Sequence, residues 1–243
     1  MESMSLKGLT AVITGASRGI GKVLATTLAK EGVEIVAIAS SEESLQPTVE
    51  EIQGMGESIH SLSCDLSKTE EVEGLSKRIA GVVSKVDILI NNAGVALNRP
   101  IEETGTAEWL QCFSVNAIAP ILLTRDMIPV LEKSNRATII NMGSVVAHKG
   151  YLGQAAYGSS KHALLGFTKV LAREVQPKGI RVHSINPGAI ATEMIREARP
   201  DLNVEDLIQP QELVDFILYL LKNRNSMVMD DLHIRRATGE PWY

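Results

Sequence analysis

The sequence has few of the features that mark secreted, membrane-spanning or nucleic-acid-binding proteins. Its 243 residues include only two cysteines, too few for a disulfide scaffold, which favours a reducing, intracellular environment. It contains no run of about 18 apolar residues and no signal-peptide pattern at the amino end, so we expect a cytoplasmic protein without a transmembrane helix. Lys and Arg (24) are outnumbered by Asp and Glu (29), which argues against nucleic acid or an anionic membrane as the main partner.

Short, continuous apolar runs recur along the chain and indicate β-strands that are buried on both faces. Seven such runs are predicted as strands, at 9–14, 35–39, 58–63, 87–91, 137–142, 180–185 and 227–234. Helical patterns lie between them, at 19–31, 43–55, 69–84, 106–133, 155–175 and 210–222. This alternation predicts an α/β fold: one doubly wound, parallel, seven-stranded sheet of Rossmann type with helices on both faces. With no Pro- or Ser-rich linker, residues 1–243 are predicted to form a single domain.

A glycine-rich turn directly follows the first predicted strand and opens the first helix. Residues 14–21 read TGASRGIG, a G-x-x-x-G-x-G spacing. Glycines allow the backbone to approach a pyrophosphate, and the helix amino end supplies free N–H groups and positive potential. The turn therefore indicates a dinucleotide site, although three glycines alone also occur in ordinary turns.

Three further residues indicate acid–base chemistry. Tyr157 and Lys161 are four residues apart on a predicted helix and so share one face. A nearby cation favours the phenolate and lowers the pKa of a tyrosine, and such a phenol can exchange a proton with a carbonyl oxygen. Ser144 follows a predicted strand, where ligands of open α/β sheets bind. A Tyr-x-x-x-Lys pair alone is also common on solvated helices.

Six motifs together resemble the short-chain dehydrogenase/reductase family, in its classical-size branch and near the 3-oxoacyl-carrier-protein reductase-like members. They are the turn of 14–21, the NNAG of 91–94, Asn116, Ser144, the Tyr157-x-x-x-Lys161 pair and the PG of 187–188. The resemblance extends from residue 6 to about 192. Two stretches depart from the family pattern: residues 230–236, where many members carry an Asp-Gly-Gly-like turn, and a short predicted substrate lid at 193–209.

The resemblance implies a role for each matched residue. Tyr157 would be the general acid/base, Ser144 would polarise the substrate oxygen, and Lys161 would lower the tyrosine pKa and bind the nicotinamide ribose. Asn116 completes the implied catalytic set. The implied cofactor-binding residues are Gly15, Ser17, Arg18, Gly19, Ile20, Gly21, Ser40, Ser41, Asp65, Leu66, Asn92, Ala93, Gly94, Tyr157, Lys161, Pro187, Gly188, Ile190 and Thr192. No metal is expected, because the five histidines are scattered along the chain.

The second predicted strand ends in Ser40 and Ser41, with no acid before Glu42. An NAD site usually places an acid there, which would repel the 2′-phosphate of NADP. Hydroxyls at 40 and 41, and the guanidinium of Arg18, could instead bind that phosphate. NADP(H) is therefore the expected cofactor, with NAD(H) the alternative if Glu42 reaches the ribose.

These features predict an NADPH-dependent enzyme that reduces a ketone or aldehyde, a small-molecule substrate. An alcohol dehydrogenase that works mainly in the oxidising direction would use the same residues. A non-catalytic nucleotide-binding protein on the same fold is a third reading, which the retained Ser144, Tyr157 and Lys161 disfavour. The long apolar helices 106–133 and 155–175 predict a homodimer or homotetramer.

Overall fold

Seven parallel strands form one sheet in the computed structural model, which describes residues 4–241; the ends of the predicted domain, 1–3 and 242–243, lie outside the described residues. The strands are β1 Thr10–Thr14, β2 Glu34–Ala39, β3 Ile59–Ser63, β4 Ile88–Asn91, β5 Thr138–Met142, β6 Arg181–Pro187 and β7 Asp231–Ile234. Their order is β3-β2-β1-β4-β5-β6-β7, with every pair parallel. The predicted doubly wound Rossmann-type fold is confirmed.

The central strands are buried on both faces, as their continuous apolar runs predict. Side chains alternate across a strand, so Ile13 of β1 joins one core cluster and Val12 joins the other. The first cluster includes Leu24 and Ile217 from helices on its side of the sheet, and the second includes Leu123 from the opposite side. Two apolar layers thus cover both faces of the central sheet. Only the ends of its strands remain available to bind a ligand.

Nine α-helices are present among residues 4–241. They are α1 Gly19–Lys30, α2 Glu42–Gly54, α3 Thr69–Glu73, α4 Leu75–Ala80, α5 Thr106–Phe113, α6 Ala119–Leu131, α7 Ala155–Val175, α8 Glu193–Ala198 and α9 Pro210–Lys222. The predicted helices 155–175 and 210–222 match α7 and α9 to the residue. The predicted helix 69–84 is instead two short helices, which are separated at Gly74, a residue of low helix propensity.

The predicted helix 106–133 contains a wider turn at its centre. A π-helical segment, Ser114–Ile118, separates α5 from α6, and such segments occur frequently at functional sites. This segment carries the fully buried Asn116.

The predicted strand 227–234 was wrong in its first half. Side chains of β6 hydrogen-bond the backbone carbonyl oxygens there. Arg181 donates to the carbonyl oxygen of Met227, and Nδ1 of His183 lies 2.7 Å from the carbonyl oxygen of Met229. The strand ladder therefore begins only at Asp231. As an edge strand, β7 is half-exposed rather than buried on both faces.

Within residues 4–241, the continuous helical stretch Thr106–Leu131 is long and apolar enough to cross a membrane by length and composition. Its polar residues nevertheless have partners inside the fold. The amide of Asn116 bonds Val95 and Ser160, and the hydroxyl of Thr124 accepts a hydrogen bond from Asn91. We assign the stretch to the protein core because burial there satisfies groups that lipid could not.

Candidate active site

A cavity of about 910 Å³ opens at the carboxyl edge of the sheet, next to the point between β1 and β4 where the strand order reverses. This is where ligands bind in doubly wound folds, and the volume lies near the top of the usual range for ligand and cofactor pockets, about 300–1,000 Å³. Its wall extends from the glycine turn to Tyr157 and the segment after β6. One cavity therefore joins the two sets of residues that the sequence singled out.

The glycine turn needs its glycines for two different reasons. Gly15 and Gly19 have positive φ angles of 68° and 55°, which side-chain-bearing residues rarely adopt. Gly21 is needed for close packing, because a Cβ there would lie 2.0 Å from the carbonyl oxygen of Gly15. Gly21 lies beneath the turn and not in the cavity wall, so its contribution to cofactor binding is to let α1 approach β1.

The residues after β4 anchor this turn from the other side. The side-chain amide of Asn92 donates to the carbonyls of Thr14 and Gly15 at 2.9 and 3.2 Å. The hydroxyl of Thr14 accepts the backbone N–H groups of Asn92 and Ala93. These reciprocal bonds hold the ends of β1 and β4 in one rigid edge of the cavity.

The amino end of α1 faces the cavity without a side-chain cap. Its N-cap residue, Arg18, makes no side-chain cap, and the first turn contains no acid. Gly19 and Ile20 of that turn line the cavity. The free N–H groups and the helix dipole there would attract a phosphate. Together with the cavity volume, this arrangement fits a dinucleotide, whose pyrophosphate would lie against Ser17 through Ile20.

Tyr157 and Ser144 meet at the other end of the cavity. Ser144 begins a turn of 3-10 helix, Val145–Ala147, directly after β5, and its backbone N–H donates to the side chain of Asn186 on β6. Its hydroxyl hydrogen-bonds the phenol of Tyr157. Tyr157 lies in the first turn of α7. A carbonyl oxygen placed between these two hydroxyls could accept a hydrogen bond from each.

Lys161 lies one turn further along α7, almost completely buried, and its ammonium donates to the carbonyl oxygen of Met142 at 2.7 Å. Burial lowers the pKa of Lys161 to about 8, so the ammonium is fully charged only below that pH. A Cβ on Gly94 would lie 3.6 Å from its Nζ and 3.1 Å from Oδ1 of Asn116. The absence of a side chain at Gly94 keeps this ammonium accessible from the cavity.

The pKa of Tyr157 does not shift in the direction that the neighbouring Lys161 was expected to cause. The pKa of Tyr157 is raised, mainly because burial disfavours the phenolate, while the hydrogen bond with Ser144 opposes this rise. Lys161 is not among the groups that shift it. The phenol consequently keeps its proton at neutral pH, the state needed to donate to a carbonyl oxygen.

Asn116 acts as a structural clamp. Its amide accepts from the N–H of Val95 at 2.8 Å and donates to the carbonyl of Val95 and to the hydroxyl of Ser160. These bonds join the π-helical segment to the loop after β4 and to α7. Asn116 is fully buried and lies outside the cavity wall, so its side chain positions the Gly94 loop against Lys161.

Most of the residues predicted to bind the cofactor are brought together in the cavity wall, including Ser40, Asp65, Leu66 and the segment 187–192. Ser41 is not: it caps α2 by accepting the N–H of Ser44. The sequence analysis missed Arg235 and Arg236, which also line the cavity. The only available signal was their position directly after the last predicted strand.

The predicted lid, 193–209, covers part of the cavity. It contains α8, whose residues line the cavity, and a 3-10 turn, Val204–Asp206. Backbone pairing between Ile190 and Ile208 joins its two ends. At the cavity mouth, Arg18 forms a 2.7 Å ion pair with Glu193, with both side chains more than half exposed. Such an exposed pair exchanges partners at little cost.

Comparison with known proteins identifies the family of this arrangement. Residues 9–203 match the short chain dehydrogenase family. The chain is 31% identical to the 3-oxoacyl-[acyl-carrier-protein] reductase FabG of Vibrio cholerae, over 95% of this chain and 97% of that protein. It is 33% identical to carbonyl reductase family member 4 of Xenopus laevis, over 87% and 90% of the two chains.

Solved structures of similar proteins contain related nucleotides. A metagenomic short-chain oxidoreductase in complex with NADP superimposes with a TM-score of 0.83 at 30% identity, over 96% of this chain and 99% of that one. An alcohol dehydrogenase from Thermococcus sibiricus, complexed with 5-hydroxy-NADP, superimposes with a TM-score of 0.88 at 27% identity, over 97% and 99% of the two chains. The protein therefore belongs to the short chain dehydrogenase family and is an NAD(P)-dependent oxidoreductase.

Proposed function

We propose that this protein reduces a ketone or aldehyde carbonyl to the corresponding alcohol with NADPH. The observation that carries the proposal is the position of the Tyr157 phenol, which is hydrogen-bonded to Ser144 at the end of the cavity that begins at the glycine turn. A bound nicotinamide would supply two electrons and one hydrogen to the carbonyl carbon. Side chains of this protein would do the rest: they would stabilise the charge on the substrate oxygen and supply the proton.

Ser144 and Tyr157 would meet the negative charge that develops on the substrate oxygen. Ser144 is held by Asn186 and by the 3-10 turn that it begins, so its hydroxyl is already oriented before the reaction. Tyr157 would then transfer its proton to the oxygen, which completes the alcohol. Lys161 would bind the nicotinamide ribose, and the raised pKa of the phenol keeps this acid protonated at neutral pH.

A substrate screen tests this function. Purified protein with NADPH is offered small ketones, aldehydes, quinones and 3-oxoacyl thioesters, and the loss of NADPH absorbance is followed. We expect turnover of at least one carbonyl class at neutral pH. Turnover of alcohols with NADP, without measurable carbonyl reduction, would instead support the oxidising dehydrogenase.

We propose NADPH over NADH on the charge of the pocket that would hold the adenosine ribose. Ser40 and Arg18 line the cavity, whereas no acid stands at the end of β2. Glu42 accepts a hydrogen bond from Ser61 on β3. The guanidinium of Arg18 is paired only with the exposed Glu193 among residues 4–241, so a 2′-phosphate could replace that partner.

Replacement of Arg18 by alanine should therefore penalise NADPH selectively. A hydrogen bond to a charged group contributes about 1.5–3 kcal/mol, so we expect kcat/KM with NADPH to fall roughly 10- to 100-fold. The value with NADH should change little. The matched control is Lys22→Ala on α1, a cation that pairs with Glu51 away from the cavity wall. An equal fall in kcat/KM with both cofactors would show that Arg18 does not bind the 2′-phosphate.

We propose that two or more copies of the chain associate through α5 and α7. These helices pack against each other and leave apolar side chains exposed: Leu110 is 62% and Val170 is 56% accessible. The family resemblance indicates pairing of these helices with their copies. We expect light scattering at micromolar concentration to give at least twice the 26.3 kDa chain mass.

Replacement of both Leu110 and Val170 by aspartate should yield monomers, since charge at an apolar interface is costly. The control is Val204→Asp, which introduces the same charge at an exposed apolar residue on the lid. A monomeric wild-type protein would contradict the proposal.

Both cysteines are buried free thiols, which supports the proposed cytoplasmic setting.

A further inference from the structure

Three side chains of types that can coordinate a metal ion converge at the β7 edge of the sheet, outside the cavity wall. His148 follows the 3-10 turn that Ser144 begins, while Asp231 and His233 are two apart on β7 and so share one face of the sheet. His148 and His233 are 85 positions apart in the sequence, and their ring centroids lie 3.7 Å apart. Two of the five histidines, which are far apart in the sequence, are therefore neighbours in the folded protein.

We propose that His148, Asp231 and His233 bind a divalent transition-metal ion, with Zn²⁺ as the best fit. Two imidazoles and one carboxylate are a set of three protein ligands that Zn²⁺ accepts while it keeps an open coordination position. Imidazole ligands also favour Zn²⁺, Co²⁺ or Ni²⁺ over Mg²⁺ and Ca²⁺, which prefer oxygen. One ligand atom from each of the three residues lies within 4.8 Å of the others.

The distances are close to those that a bound ion requires. The Nε2 atoms of His148 and His233 lie 3.5 and 3.6 Å from Oδ1 of Asp231. Neighbouring ligand atoms of a tetrahedral zinc ion with bonds of about 2.0–2.2 Å lie about 3.4 Å apart. Small side-chain rotations would therefore complete the site without any backbone change.

One ring nitrogen of His148 lacks a hydrogen bond. Its Nε2 atom is buried and makes no hydrogen bond within residues 4–241, although buried polar atoms are nearly always satisfied. A metal ion would give this atom a partner, because it binds neutral imidazoles through their ring nitrogens.

A supporting residue already orients the carboxylate. The amide of Asn186 donates to Oδ1 of Asp231 at 2.6 Å, and its oxygen accepts the backbone N–H of Ser144 at 3.2 Å. Outer hydrogen bonds of this kind orient metal ligands. An ion at this site would join β7 to the segment 144–148 and stabilise the backbone that carries Ser144. Because the ligands lie outside the cavity wall, the proposal does not depend on the reaction catalysed.

Metal binding can be measured directly on the full-length protein after chelator treatment and dialysis. With Co²⁺ as a spectroscopic probe, we expect one equivalent per chain and visible bands typical of a site with nitrogen ligands. Zn²⁺ should displace the Co²⁺ and raise Tm, since a ligand that binds only the folded state stabilises it. Mg²⁺ should do neither.

Variants at the exposed ligands separate this site from adventitious binding. His233→Ala and Asp231→Asn should each weaken Co²⁺ binding more than about 100-fold, since loss of even an outer-shell partner costs about 10–100-fold. The matched control His60→Ala removes a histidine from β3, at the opposite edge of the sheet, and should bind like the wild type. Equal Tm values in chelator would show that the variants fold normally.

Two results would overturn the proposal. One is a wild-type protein that binds no more Co²⁺ than His233→Ala. The other is Co²⁺ binding that survives in both ligand variants. In either case, the three side chains would make only a carboxylate–imidazole contact and a tilted ring–ring contact, and would not form a metal site.

Discussion

Tyr157→Phe is expected to lose roughly 10²- to 10⁴-fold in kcat, the usual contribution of a positioned general acid. The change removes one oxygen and keeps the ring, which lies partly buried at the start of α7. Ser144 would lose its hydrogen-bond partner, while the glycine turn and the phosphate-binding end of the cavity would be unaffected. The loss should therefore appear in turnover and not in affinity for NADPH, which is measured by fluorescence titration.

Tyr151→Phe is the matched control for this experiment. Tyr151 also lines the cavity, with 38% of its surface exposed, but no role in proton transfer is proposed for it. Its variant should keep turnover within about threefold of wild type, because it provides no general acid. Near-normal turnover of Tyr157→Phe would refute the proposed mechanism, whichever substrate is used.

Gly21→Ala is expected to abolish tight cofactor binding and to destabilise the fold. The added methyl group would lie 2.0 Å from the carbonyl oxygen of Gly15 and 2.5 Å from the side-chain nitrogen of Asn92. Both are parts of the rigid edge formed by β1 and β4, so α1 would have to move away from the sheet. Overpacking of this kind costs about 1–3 kcal/mol, and displacement of α1 also shifts the amino end proposed to bind the pyrophosphate.

The measurements are the NADPH dissociation constant and the Tm of the cofactor-free protein. Gly54→Ala is the matched control, because an added Cβ at the end of α2 would meet no atom within 4 Å. This control should bind NADPH normally and be as stable as the wild type or slightly more so. A Gly21→Ala protein with normal affinity and Tm would show that α1 can shift without consequence.

The sequence alone determined the fold class because its signals are local and repeated. Buried strands such as β1 and β4 are recognisable as short apolar runs that are followed directly by a turn or a helix. Parallel strands joined by helical crossovers then allow only a few topologies. Tyr157 and Lys161 could be paired in advance because a four-residue spacing on one helix fixes their common face. The glycine turn was recognisable because positive φ angles and close packing each require glycine.

Tertiary structure decided whatever depends on which distant groups meet. The pKa of Tyr157 is raised because burial of the phenol outweighs the opposing hydrogen bond with Ser144. The first half of the last predicted strand does not pair with β6 through backbone hydrogen bonds, because the side chains of Arg181 and His183 contact its carbonyl oxygens instead.

The clustering of His148 with Asp231 and His233 has no local signal at all. Sequence spacing reports neighbours within one helix or strand, whereas these three residues meet only because β7 adds to the sheet beside β6, next to the turn that follows β5. Composition and periodicity determine which elements form. The packing of those elements sets the distances, and the distances set the chemistry.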